Sequence, residues 1–420
     1  MKTLVLGAGV IGTMTAYYLA KRGHEVEVVE RHADVAQEAS FANGGIVHAS
    51  EVMPWSQPGM PRNILKWLGK ESAPVLVRAG AIPHMWRWGF DFLRNCTEER
   101  FRANTLANLR LALLSRQSFK EVRDEIGLDY DLNTEGCLKI YTSAESLNGA
   151  ACLSESMREF GMSFDVLDRA GCVWVEPALR STADTLAGGI LFPDDELGDS
   201  YKFTKGVAQH CERLGVRFHT RTTIRRLERS GGDITGASTD GGRLTADRYV
   251  AALGSHTPLL LRSLGIRVPI YPVKGVSITM PAAGWTDPLR MPVIDEGRLF
   301  GLAPLGDRVR AAGSAEVAGY DATPDHVRCQ AIIDNVISVF PGFASCYDPT
   351  TARFWAGLRP VTPSGTPKLG HTPFRNLFIN AGHCHQGWTL SCGSGRVVAD
   401  IIDGREPEID LTGLTLNRPH

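Results

Sequence analysis

Between Lys2 and Lys21 the chain carries eighteen residues without a charge, and three glycines punctuate them. Leu4 to Leu6 is an apolar run short enough for a buried parallel strand. Thr13 to Arg22 holds good helix formers and stops at Gly23, which predicts a helix. "HEVEVVE" is β-branched and predicts a second strand ending on Glu30. A positive start before an apolar stretch also fits a secretory leader, yet the strand–turn–helix–strand order runs on past the point where a leader would be cut.

After Arg31 the alternation stops, and "ASFANGGIVHASEVMPWSQPGMP" is rich in small residues and then in proline. It resumes near Ser200 with a helix over Tyr201 to Leu214 and a strand at "VRFH". Two short strands follow, joined at Gly231–Gly232, then a turn at Gly241–Gly242 and a buried strand "RYVAALG" closing on Gly254. A third return, "NLFINAGHCHQGWTLSCGSGRVVADIIDG", gives a strand, a glycine-rich turn and a helix. Thr97 to Ile126 has helical character and few breakers. No internal repeat or low-complexity tract appears.

Composition narrows the class. The 420 residues suffice for two domains, with 43% apolar and 22% charged residues and a net charge of −1. No basic tract points to nucleic acid, and no eighteen-residue apolar run remains once the first strand and helix are assigned. Nine cysteines, odd in number, scattered and without a C-x-x-C pair, predict reduced thiols in a cytoplasmic compartment.

Gly7, Gly9 and Gly12 have G-x-G-x-x-G spacing between the first strand and helix, and Glu30 follows eighteen residues later. One glycine makes the tight turn, the next admits a pyrophosphate to the backbone, and the third lets helix meet strand, while an acid at the second strand's end binds ribose hydroxyls. A dinucleotide site is therefore expected. A nicotinamide enzyme would continue the alternation for five or six strands, which this chain does not.

"GAGVIG", "SFANGG", "ALGSH", "YPVKG", "GLRPVTPSGTP" and "GWTLSCGSGRVVADII" together resemble the FAD-dependent amino-acid oxidoreductases of the D-amino-acid oxidase type, most closely the small-subunit bacterial D-amino-acid dehydrogenase branch. The resemblance spans nearly the whole chain. It implies an α/β protein with an interrupted Rossmann-like FAD-binding domain (1–48, 196–268 and 348–420) and a second, α+β substrate domain built on a large mixed sheet (49–195 and 269–347). It assigns Gly7, Gly9, Val10, Ile11 and Gly12 to the pyrophosphate, Glu30 and Arg31 to the ribose, and Ser40, Asn43, Gly44 and Gly45 to the loop beneath diphosphate and flavin. Ile224 and Gly254 fall on the adenine side and at a strand end. Gly382, His383, Gly387, Trp388 and Thr389 match the loop around the flavin ring. FAD is expected to be non-covalent, since "GLRPVTPSG" lacks the cysteine with which some relatives tether it.

Arg359 is the expected substrate clamp, because its planar fork grips a carboxylate through two parallel hydrogen bonds. His48 and Tyr271 join it as catalytic candidates: His48 either lines the pocket or is a solvated or capping group, Tyr271 and Lys274 fall near the sheet edge facing the flavin, and Lys274 is equally readable as a surface lysine. Cys384, His385 and Gln386 stand where relatives carry small aliphatic residues, which makes the pocket more polar. No metal is expected there, for lack of a nearby carboxylate.

The implied reaction is FAD-dependent oxidation of a D-amino acid, or of a cyclic imino acid such as D-proline or a hydroxylated relative, to an imino acid that water hydrolyses. The electron acceptor would be a quinone or another flavoprotein. A nicotinamide-dependent dehydrogenase and a non-catalytic flavin-binding electron-transfer subunit are the alternatives. From Pro54 to Cys96 the chain mixes Trp55, Trp67, Trp86, Trp88, Phe90 and Phe92 with Lys66, Lys70, Arg78, Arg87 and Arg94. Helical packing in the substrate domain is the favoured reading, since Pro74 and Pro83 interrupt a long helix; a peripheral contact with the inner face of the cell membrane is the other.

Overall fold

A computed structural model describes residues 1–67 and 75–416. Lys70 and Pro74 lie outside these described residues. Two large sheets organise the rest. The first has six strands in the order Lys368–His371, Leu377–Ala381, Arg248–Ala251, Lys2–Leu6, Glu25–Val29 and Arg217–His219. All neighbours are parallel except the first pair. Leu4, Val5 and Leu6 are wholly buried, as an uninterrupted apolar run in a covered parallel sheet must be.

Helix Val10–Lys21 follows the first strand, and helix Ser391–Ile402 packs along it. Two glycines permit this closeness. A Cβ at Gly12 would lie 1.9 Å from the Gly7 carbonyl oxygen, and one at Gly395 would lie 2.9 Å from the Met14 carbonyl carbon. Asn380 Nδ2 donates to Thr15 Oγ1 at 3.0 Å, and Arg22 pairs with Asp400 at 2.7 Å, so the chain's beginning and end are fastened together. The hairpin Ile224–Ser230/Asp233–Thr239, extended by Gly242–Leu244, forms a separate three-stranded sheet.

The nine-stranded sheet is mixed. Its path runs Arg353–Val361, Tyr271–Pro281, Arg308–Val317, Phe300–Leu305, Val293–Asp295, Cys137–Tyr141, Gly188–Phe192 and Asp165–Leu167, and Val75–Val77 pairs with Arg308–Val317. Helix His326–Val339 buries Cys329, Ile332, Ile333 and Val336 in the cluster on this sheet.

Two segments depart from the expected division. Arg353–Val361, placed with 348–420 in the sequence reading, pairs along its length with Tyr271–Pro281 in the nine-stranded sheet. Helix Glu98–Ile126, placed with 49–195, packs on Ser391–Ile402, with Ser115 Oγ accepting from the Gly393 N–H at 3.1 Å. That helix is otherwise as its sequence dictates: Thr97 accepts from the Arg100 N–H at its start, and Gly127 ends it at φ 69°. Pro83 does not interrupt a helix but stands in the first turn of Ile82–Asn95, where its missing N–H costs nothing. Among the described residues, no helix is long and apolar enough to cross a membrane.

Gly12→Ala forces the first helix off the glycine turn. The expected result is a loss of about 1–3 kcal/mol in stability, read from urea unfolding.

Candidate active site

A cavity of about 600 Å³ lies between the two large sheets, and three distant stretches of chain meet on its wall. The first is the turn into helix Val10–Lys21. Gly7 adopts φ 103°, which only glycine takes readily, and the Ser40 hydroxyl accepts the Val10 N–H at 3.0 Å. Glu30 is buried, and its two oxygens accept from the Ala8 and His32 N–H groups at 2.9 Å each, so this acid braces the turn from the end of the neighbouring strand.

The second stretch carries Ser40, Asn43, Gly44 and Gly45. Asn43 Oδ1 accepts from the Gly45 N–H at 3.0 Å, and the Gly45 carbonyl accepts from Trp388 Nε1 at 3.0 Å. That bond joins the second stretch to the third, the 382–390 turn. Trp388 is wedged edge-on against Phe119 and Phe203, with ring centroids 4.8 and 4.9 Å away.

Most residues singled out in the sequence reach the cavity wall: Gly7, Gly9, Val10, Ile11, Glu30, Arg31, Ser40, Asn43, Gly44, Gly45, His48, Ile224, Gly254, Arg359, His383, Gly387 and Trp388. Four do not. Gly12 and Gly382 serve packing, and a Cβ on Gly382 would come within 2.8 Å of Thr362 Cγ2. Thr389 stands behind the wall, its hydroxyl accepting the His48 N–H at 3.1 Å. Tyr271 is buried against Trp88, ring centroids 5.9 Å apart, because its strand meets the cavity only from Gly275 onward. Lys274 is buried too, paired with Glu316 at 3.2 Å and Asp321 at 3.3 Å, and lies neither on the cavity wall nor at the surface.

The wall suits a long, flat, partly anionic group such as the expected FAD. A Cβ at Gly254 would meet no atom within 4 Å, one at Gly9 only Ser40 Oγ at 3.5 Å, and one at Gly387 only His383 Cβ at 3.6 Å. Bare backbone therefore faces open space at three points drawn from three segments, beside the N-terminus of a twelve-residue helix.

Arg359 owes its position to strand geometry. Its strand pairs in unbroken register with Tyr271–Pro281, whose other edge slips register against Arg308–Val317 between Lys274 and Val276. Ser314, in this bulge, takes φ 64°, and its carbonyl accepts from Arg359 Nη1 at 2.9 Å. A Cβ at Gly275 would lie 2.0 Å from the same nitrogen, so glycine makes the room in which the guanidinium lies. Trp55 lies 5.8 Å away, centroid to Cζ. Burial alone lowers Arg359 to about 10, with no acidic neighbour among the described residues acting to raise it. A half-buried cation without a carboxylate, at the wall of a cavity, is a ready receptor for a ligand's carboxylate.

A second polar group on the wall escaped the sequence reading. Glu51 and Glu296 line the cavity, and the buried Lys139 pairs with Glu51 and lies 3.6 Å from Glu296. Lys139 stands on strand Cys137–Tyr141, parallel to Val293–Asp295, a pairing with no local signature. His385 stacks on Trp55 at 5.2 Å, and its Nε2 lies 3.2 Å from the Glu51 carbonyl. Cys384 and His385 line the cavity, while Gln386 stands behind it, donating to the Glu51 carbonyl at 2.8 Å.

Comparison with known proteins matches residues 2–401 to the family model described as "DAO: FAD dependent oxidoreductase". The chain is 45% identical to a D-amino acid dehydrogenase of Allorhizobium ampelinum, covering 100% of this chain and 98% of that one. It is 44% identical to one of Rhizorhabdus wittichii, with full coverage of both. Among solved structures, glycine oxidase from Geobacillus kaustophilus superposes with a TM-score of 0.79 at 23% identity, over 100% of this chain and 98% of that one. L-proline dehydrogenase from P. horikoshii gives 0.76 at 19%, over 97% and 94%. These two establish a shared fold.

Burial holds His48 and His383 at about 3 and His385 at about 4, against 6.5 for a free imidazole. The folded chain refuses protons that the unfolded chain accepts, so these groups' contribution to stability is full above pH 6.5 and is lost as pH falls toward 4. Burial raises Asp195 to about 7, which acts in the opposite direction and offsets one of the three. The urea midpoint is expected to fall between pH 6.5 and 4; a flat midpoint would show that the imidazoles titrate freely in the fold.

Proposed function

This chain belongs to the FAD dependent oxidoreductase family, and we propose that it oxidises a D-amino acid, or a cyclic imino acid, at its α-carbon. FAD is the cofactor, and it supplies the acceptor for the hydride that leaves the α-carbon. The 44–45% identity to D-amino acid dehydrogenases over the whole chain supports this choice of substrate class. The observation that carries it is Arg359, a half-buried cation on the cavity wall with no acidic partner among the described residues.

The protein's own work is positioning. Arg359 receives the substrate carboxylate, Ser314 and Gly275 fix the guanidinium's direction, and Trp55 backs it. His48 and His385, neutral through the physiological range, add polarity without charge. Gly7 to Ile11, Ser40 to Gly45, Gly254 and the 383–388 turn receive the FAD. No covalent nucleophile is needed, because the cofactor carries the redox chemistry. From a primary amino acid the imino acid product is then hydrolysed by water to a 2-oxo acid and ammonia, whereas a cyclic product opens its ring to an amino-2-oxo acid and releases none.

We further assign the outer face of helix Ile82–Asn95 to a membrane surface, where a quinone would accept the electrons; the alternative acceptor is another flavoprotein. Trp86 and Phe90 are 61% and 58% exposed, with Ile82 and Leu93 also outside. Arg87 and Arg94 lie over the Trp86 and Phe90 rings at 5.0 and 5.7 Å, a pairing of apolar rings and cations that suits an anionic interface.

Anaerobic bleaching of bound flavin across D- and L-amino acids tests the reaction. Arg359→Ala is expected to retain FAD and lose about 100-fold or more in kcat/KM, as for truncation of one member of a buried charge pair. Gly275→Ala, which displaces the same guanidinium, should weaken binding in the same direction. Unchanged kinetics in Arg359→Ala would remove it from the site. For the membrane face, co-sedimentation with phosphatidylglycerol vesicles should fall in Trp86→Ser/Phe90→Ser; equal recovery of both proteins in the supernatant would reject it.

A further inference from the structure

Building on the reading of this cavity as an amino-acid oxidation site, we propose that Glu51 and Glu296 select substrates whose side chain carries a positive charge.

The argument begins with a count of charges. Among the described residues one ammonium lies beneath this wall, Lys139, its side chain 3% exposed; Glu51 and Glu296 front the cavity with side chains 25% and 30% exposed. Two carboxylates share one cation, which leaves a single negative charge in excess. Asp195, buried behind them, takes the Ser50 hydroxyl at 2.5 Å and brings no positive charge. His48 and His385 are the other titratable groups on this part of the wall, and burial keeps both neutral. Arg359 is turned toward the Ser314 carbonyl instead.

Burial raises Glu296, and the like charge of Glu51 raises it further, so the pair is under mutual repulsion that Lys139 only partly relieves. An apolar side chain filling this end would strip water from both carboxylates and return nothing. A cation would complete the second ion pair.

The spacing of the two charged ends suits a long side chain. Arg359 meets Trp55, Trp55 stacks on His385, and His385 reaches the backbone of Glu51, so the carboxylate receptor and the acidic end are separated by two stacked rings. A substrate held at Arg359 by its carboxylate must extend past these rings to reach the acids. The side chains of lysine, ornithine and arginine have the stem and the charge to do so.

The test compares D-lysine with D-norleucine, which has a neutral side chain with the same four-carbon stem, by anaerobic flavin reduction in the wild-type protein and in Glu296→Gln. D-lysine is expected to exceed D-norleucine about tenfold or more in kcat/KM, and Glu296→Gln should shrink that ratio by about the same factor. A wild-type ratio at or below one overturns the proposal, as does a ratio unchanged by Glu296→Gln. The wild-type comparison decides even where the variant does not fold. Oxidation of D-norleucine without D-lysine would reject the selectivity alone. Failure of D-lysine, D-norleucine and D-alanine alike would reject the underlying reaction and the selectivity with it.

Discussion

Among the described residues the tightest constraint is backbone against backbone. At Gly12 a single methyl would stand 1.9 Å from the Gly7 carbonyl oxygen, and at Gly7 it would stand 2.7 Å from the carbonyl oxygen of Ala252. Helix Val10–Lys21 therefore starts almost in contact with the strand ends Leu6 and Ala251. Its N-terminus is thereby placed at the edge of the cavity rather than a side chain's length away. Glu30 holds this arrangement from the neighbouring strand by its bonds to Ala8 and His32. The adjoining loop follows through Ser40, and the C-terminal turn follows through Trp388 and Gly45.

The nine-stranded sheet solves a different problem, which is to hold charge in a place with little water. Arg359 is accommodated because Gly275 lacks a side chain and a bulge turns the Ser314 carbonyl toward it. Lys139 is accommodated by carboxylates on either side. Such buried charges add little to stability and are costly when unpaired. Their presence on one cavity wall is better explained by what the cavity receives than by what the fold requires.

Much of this was legible in the sequence, and the limits were physical. The glycine turn, the acid after the second strand, the hairpin at Gly231–Gly232 and the capped helix Glu98–Ile126 all rest on local chemistry, and local chemistry can be read along a chain. Tyr271 was misplaced because the strand Tyr271–Pro281 reaches the cavity only beyond a register shift, and a register shift belongs to two strands at once. The pairing of strand Arg353–Val361 with Tyr271–Pro281 is hidden for the same reason: its partner lies about eighty residues away. Glu51, Lys139 and Glu296 have no common spacing, and a lysine in a short strand looks like an exposed one until its neighbours are known.

The order of strands in the six-stranded sheet bears on how the chain must be made. Strand Arg248–Ala251 lies between the first strand and Leu377–Ala381, and helix Ser391–Ile402 packs on the first helix. While a ribosome is still extending the polypeptide, the six-stranded sheet has an open edge at Arg248–Ala251 and helix Val10–Lys21 has an uncovered face, and neither closes until residues 377–402 emerge. Throughout the synthesis of the stretch between those two strands, apolar surface that the finished fold covers stands open to wrong partners.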